Sequence, residues 1–187
     1  GVDPQQQFVD KLVVPRQHVA IDAVHRVARP VPVGQLSVGR EAAERERAQV
    51  FMQRGDAKSA VPILEDLHAR SAHDFALARA LAEAHVKAGS ADQLLARLTT
   101  ADTAISHYMQ GLVLFARAAD ATGPAIAQFQ RAVELEPEAG ELHHRLGVAL
   151  LESEKYEAAK APLLRAVQLQ PAELSWQLPV AKVLYRS

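Results

Sequence analysis

Apolar positions along most of this chain recur at i, i+3 and i+4, the spacing of one helical face. From residue 41 onward no alternation of β-branched and polar residues interrupts the pattern, so it predicts helices and no strands. Turn formers punctuate it at Gly55, Gly89, Pro137 and Pro171. Two stretches, YMQGLVLFARAADATGPAIAQFQRAVELEP (108–137) and HHRLGVALLESEKYEAAKAPLLRAVQLQP (143–171), carry the same order of residue types. Gly111 aligns with Gly147, Phe129 with Leu163, Ala132 with Ala166, and Pro137 with Pro171. Weaker copies lie upstream. One carries Ala48, Phe51, Gly55, Ala60 and Leu64; the other carries Ala82, His85, Gly89, Leu94 and Leu98 at matching offsets.

A lone helical hairpin cannot bury its own apolar face, whereas stacked copies can, so a duplicated hairpin pattern predicts a solenoid. Small residues at 48, 82, 111 and 147 would let the two helices of each hairpin approach closely, with large apolar residues filling the gap. Units starting at 41, 75, 104, 140 and 174 are spaced by 34, 29, 36 and 34 residues. In the fourth unit His143–x2–Leu146–Gly147–x2–Leu150, Ala159–x3–Leu163 and Pro171 resemble the tetratricopeptide repeat, although His143 and Leu150 stand where that family usually has aromatics. The resemblance implies an all-α fold, a right-handed superhelical solenoid of helix–turn–helix repeats. Its units would be 41–74, 75–103, 104–139 and 140–173, with a partial unit at 174–187.

Residues 1–40 read differently. Four prolines (4, 15, 30 and 32) and many valines predict an extended or irregular N-terminal segment, because Pro30 and Pro32 forbid helix through 29–32. Phe8, Leu12, Val13, Val14 and Ile21 make the segment too apolar for a flexible linker and suggest that it packs on something. The chain begins with Gly1, and we expect the natural protein to extend beyond this piece.

Charge and composition narrow the function classes. With 21 basic and 22 acidic residues, the bulk charge favours neither nucleic acid nor an anionic membrane, so neither is expected as a partner. No apolar run reaches the roughly 18–20 residues that cross a bilayer, so a soluble chain is expected, with cytoplasmic and exported locations both compatible. The absence of cysteine removes thiolate catalysis, disulfides and thiolate metal sites. Eight histidines raise a metal hypothesis, but His68/His73, His143/His144 and His18/His25 make no ligand set of recognised spacing. Ser59, Ser71 and Ser106 lack a nucleophile elbow, and VGQLSVGR (33–40) lacks the lysine and hydroxyl of a phosphate loop. The reading is non-enzymatic, without cofactor or metal.

What remains is a surface. Tyr108, Leu112 and Phe115 share one helical stripe, and His144, Val148 and Leu151 repeat it one unit later. Inter-repeat packing is one account of these stripes. By resemblance to tetratricopeptide domains, the same positions line a concave groove that takes a peptide or helix. The charged pair Arg79 and Glu83 would then make one end of the groove polar. The lysines and asparagine of a carboxylate-binding clamp are not matched. The expected function is a protein–protein interaction module. The alternatives are a scaffolding or regulatory arm of a larger enzyme, exported or not, and a self-assembly module using the apolar end 174–187 or the N-terminal segment.

Overall fold

The computed structural model describes residues 33–117 and 122–186, all helix and turn. The helices are α1 (Val33–Gln53), α2 (Ala57–Arg70), α3 (Phe75–Ala88), α4 (Ala91–Leu98), α5 (Ala104–Arg117), α6 (Thr122–Leu135), α7 (Gly140–Glu152), α8 (Tyr156–Leu169) and α9 (Gln177–Arg186). A 3-10 turn at Leu174–Trp176 leads into α9. No strand occurs among the described residues. Residues 40–187 form a unit of their own. The fold is the expected all-α array of helical hairpins.

One boundary differs from the sequence expectation. α1 starts at Val33, inside the segment read as extended or irregular. Pro32 precedes it, and a proline is well tolerated at a helix start because its missing N–H would have no intrahelical partner. Gly34 and Gly39 lower helix propensity without breaking the helix. The apolar residues at 8–21, His18 and His25 lie outside the described residues.

Three of the inter-helix turns close in the same way. Gly55 and Gly89 adopt left-handed backbone, with φ of 78° and 75°, and Glu154 does so with φ of 58°. In each, the next amide reaches back into the helix that has just ended: Asp56 N–H to Phe51 O, Ser90 N–H to His85 O and Lys155 N–H to Leu150 O, all at 2.9 Å. This is the Schellman closure, which satisfies carbonyls that the helix end would leave bare. Two helix starts show side-chain caps clearly. Asp74 Oδ1 accepts from the amides of Ala76 and Leu77 at 2.9 and 3.1 Å, and Thr103 and Ser106 cap each other reciprocally at 3.2 Å.

Close approach within hairpins depends on the small residues. A Cβ placed on Gly147 would lie 2.5 Å from Leu163 Cγ, and one on Gly111 would lie 2.6 Å from the Phe129 ring. Ala48 and Ala82 are buried at the corresponding places upstream. Tyr108, Phe129, Leu67, Met109, Leu142 and Leu163 are the largest fully buried side chains and form the core within and between the hairpins.

Candidate interaction groove

Two cavities meet on α3. The first, of about 540 Å³, lies between α1 and α3. Its floor holds Ala48, Met52, Leu64 and Leu77, and Arg45, Gln49, Glu83 and Lys87 stand at its rim. The second, of about 480 Å³, is bounded by Phe75 of α3, by Glu141, His144 and Arg145 of α7, and by Glu173 and Trp176 after α8. Ala76 and Arg79 line both. Ala76 gives up space to the groove, while Arg79, one turn later on the same face, projects charge into it.

The charges around the groove are nearly all paired. Arg45 Nη2 donates to Asp74 Oδ2 at 2.9 Å, Lys87 Nζ to Glu83 Oε1 at 2.6 Å, and Arg145 Nε to Glu141 Oε1 at 2.9 Å. Arg79 is exposed and has no carboxylate partner among the described residues. The second cavity is polar on its α7 side and aromatic on the other. His144 stacks on Trp176 with ring centroids 4.8 Å apart and planes inclined by 10°. Burial, aided by the positive charge of Arg145, pushes the His144 imidazole down to about 4, so it is neutral at pH 7. Its Nδ1 is buried without a hydrogen-bond partner.

The structure distributes the sequence-predicted residues unevenly. Arg79 and Glu83 line the first cavity, and Arg79 and His144 line the second. Leu112, Phe115 and Val148 are half-buried against the core and line neither cavity. Tyr108 and Leu151 are core residues, 0% and 3% exposed, and present no surface to a partner. Phe75 covers Tyr108 edge-on at 5.2 Å and 82°, and the Tyr108 hydroxyl donates to Glu141 Oε1 at 2.7 Å. Burial first, and then the neighbouring Glu141 carboxylate, pushes the Tyr108 phenol well above its ordinary range. The continuous apolar floor expected from the two stripes is therefore replaced by a groove around Arg79. Sequence reasoning missed Phe75, Arg145 and Trp176. The i,i+4 pairing of Glu141 with Arg145 was the visible signal for one of them.

Among the described residues no group of His, Asp or Glu is placed to hold a metal ion. None of the described helices is long and apolar enough to cross a membrane.

No protein-family model and no curated protein sequence matches the chain. Solved structures do. TTC0263, described as a thermophilic TPR protein of Thermus thermophilus, superposes with a TM-score of 0.57 at 22% identity, covering 82% of this chain and 95% of that one. MamA of strain AMB-1 superposes at a TM-score of 0.50 with 26% identity, covering 79% of this chain and 82% of that one. MamA of strain MSR-1 gives a TM-score of 0.50 at 25% identity, with 79% and 86% covered.

Proposed function

From its tetratricopeptide-repeat fold we infer that this chain is a protein–protein interaction module, and we propose that it binds a peptide or helix in the groove around Arg79. The observation that carries this reading is Arg79 itself. It sits where the two cavities join, exposed, while the cations beside it are already neutralised. A segment lying along α3 would place apolar side chains against Met52, Ala76 and Ala80, and an acceptor against the guanidinium. Such contacts combine burial of apolar area with one charge-assisted hydrogen bond, a common arrangement at peptide-binding surfaces.

Nothing in the groove pairs a nucleophile with a base, so a non-catalytic role fits its residues. The Phe75, Glu141, His144 and Trp176 cluster would act as a second contact area, with the neutral imidazole able to accept or donate at pH 7. Leu112, Phe115 and Val148 would contribute by holding α5 and α7 in register.

Selection from a random displayed-peptide library tests this. The wild type should enrich a motif that the exposed-surface variant Arg79→Glu fails to enrich, with circular dichroism of the two unchanged. No enrichment by the wild type, or the same motif enriched by both, would sink the proposal.

A further inference from the structure

Seven charged side chains line the two cavities that meet on α3, and five of them are already paired. Arg45 is held by Asp74, Lys87 by Glu83, and Arg145 by Glu141. The two that remain are Arg79 and Glu173, both exposed and neither with an ion-pair partner among the described residues. They have opposite sign and line the same second cavity, yet they do not pair with each other. Glu173 opens the 3-10 turn that carries Trp176, and its side chain caps no amide there.

We propose that the partner of this groove is a charge-balanced segment, in which an acid lies between an apolar residue and a base, and that Glu173 reads the base. The inference rests on the peptide-groove reading above and adds what Arg79 alone does not specify. A lone unpaired arginine would favour acidic segments in general. An uncompensated carboxylate on the same cavity disfavours a second acid and attracts a cation, so the complementary ligand carries one charge of each sign.

The order of the three residues follows from the lining. Arg79 lines both cavities, whereas Glu173 lines only the second, and the apolar Met52 and Ala80 line only the first. The acid therefore lies in the middle, whichever way the segment runs along α3. A cavity of about 480 Å³ is about 10 Å across, roughly three residues of extended chain, so the base falls within about four positions of the acid. A lysine or arginine crossing that space can lay its aliphatic stem on Phe75, which lines the same cavity. Gln170 and Ser175, both neutral, offer donors and acceptors to the main chain of the segment.

Because Glu173 is exposed and caps nothing, its charge can be changed without removing a contact of the fold. The random displayed-peptide library is selected on the full chain, on Glu173→Gln and on Glu173→Lys, with circular dichroism of the three unchanged. The wild type should enrich segments in which an acid stands between an apolar residue and a base. Glu173→Gln should keep the apolar residue and the acid and lose the base, and Glu173→Lys should replace the base by a second acid. A synthetic peptide of the wild-type motif should bind Glu173→Lys at least about tenfold more weakly, and exchanging its base for glutamate should restore the affinity. A wild-type motif with an acid and no base, a base in the middle position, or the same base enriched by all three proteins would overturn this inference and leave the Arg79 groove standing. No enrichment by the wild type, or a motif that Arg79→Glu also enriches, would remove both.

Discussion

The Tyr108 hydroxyl donates to Glu141 Oε1 at 2.7 Å across 33 residues of sequence, joining the first helix of one hairpin to the first helix of the next. The same carboxylate oxygen accepts from Arg145, so the pair belongs to a small, half-buried polar network beside the groove. Tyr108 thus acts through packing and one hydrogen bond.

Separating those two contributions is direct. Tyr108→Phe keeps the ring against Phe75 and Phe129 and removes one hydrogen bond, while Arg145 still satisfies Glu141. It should cost about 1 kcal/mol. Tyr108→Ala empties a fully buried site and should cost about 3–5 kcal/mol. Urea denaturation measures both, and equal costs would contradict the assignment of the ring to the core.

Glycine-to-alanine substitutions should divide by location. Alanine favours helix over glycine by about 1 kcal/mol, so it stabilises unless its methyl has no room. At Gly147 the methyl meets Leu163 Cγ and, at 3.2 Å, the Leu163 backbone nitrogen; at Gly111 it meets the buried Phe129 ring. Both substitutions should destabilise by about 1–3 kcal/mol. Gly39→Ala has nothing within 4 Å and should be neutral to slightly stabilising. A Gly147→Ala melting point at or above that of the wild type would show that the two helices do not meet there.

Glu154 occupies the left-handed turn position that glycine fills at Gly55 and Gly89. A side chain there costs about 1–2 kcal/mol, partly offset in glycine by the greater freedom it loses on folding. Glu154→Gly should therefore raise stability by roughly 0.5–1 kcal/mol. A lowered melting temperature would rule out strain at this turn.

The His144 ring predicts a pH dependence. Burial and then Arg145 push its folded value down to about 4, Arg79 acts in the same sense as Arg145, and Glu141 pulls the other way. The unfolded chain then takes up a proton at a pH where the folded chain does not. The associated stability is full above about pH 6.5 and is lost as pH falls toward 4, a loss of about 1–3 kcal/mol. Burial also lowers His68, in the same direction. Comparison with His144→Phe, which keeps an aromatic ring on Trp176, isolates the one group. That variant should lose less stability between pH 6.5 and 4, and parallel urea midpoints would exclude the assignment.

The repeat was legible because its signature residues act locally. A glycine at 147 and a leucine at 163 meet within one hairpin, so spacing along the chain is enough to pair them. The groove was harder to read. Tyr108 shares a helical stripe with Leu112 and Phe115, and nothing in that stripe says which member the preceding hairpin covers. Phe75 decides it, and the angle between successive hairpins that brings Phe75 over Tyr108 is a property of three-dimensional stacking. Arg79 and Glu83 were visible as charges on a helix face otherwise made of small and apolar residues. Trp176 was visible as an apolar residue after the last full hairpin, but its partner His144 lies 32 positions earlier in the chain.

The brevity of α4 sets where such an array gives way. It has 8 residues, whereas α2, α6 and α8 have 14 each, so the outer row of helices is thinnest between the second and third hairpins. A stack whose stability is a sum of neighbour contacts cracks at its weakest seam. Here the seam is bridged on the inner row, where Phe75 rests on Tyr108 and Tyr108 holds Glu141. Hinge motion of the array would then be a flexing of its outer edge about an inner aromatic pivot, opening and narrowing the space beside Arg79 while the three inner helices stay linked.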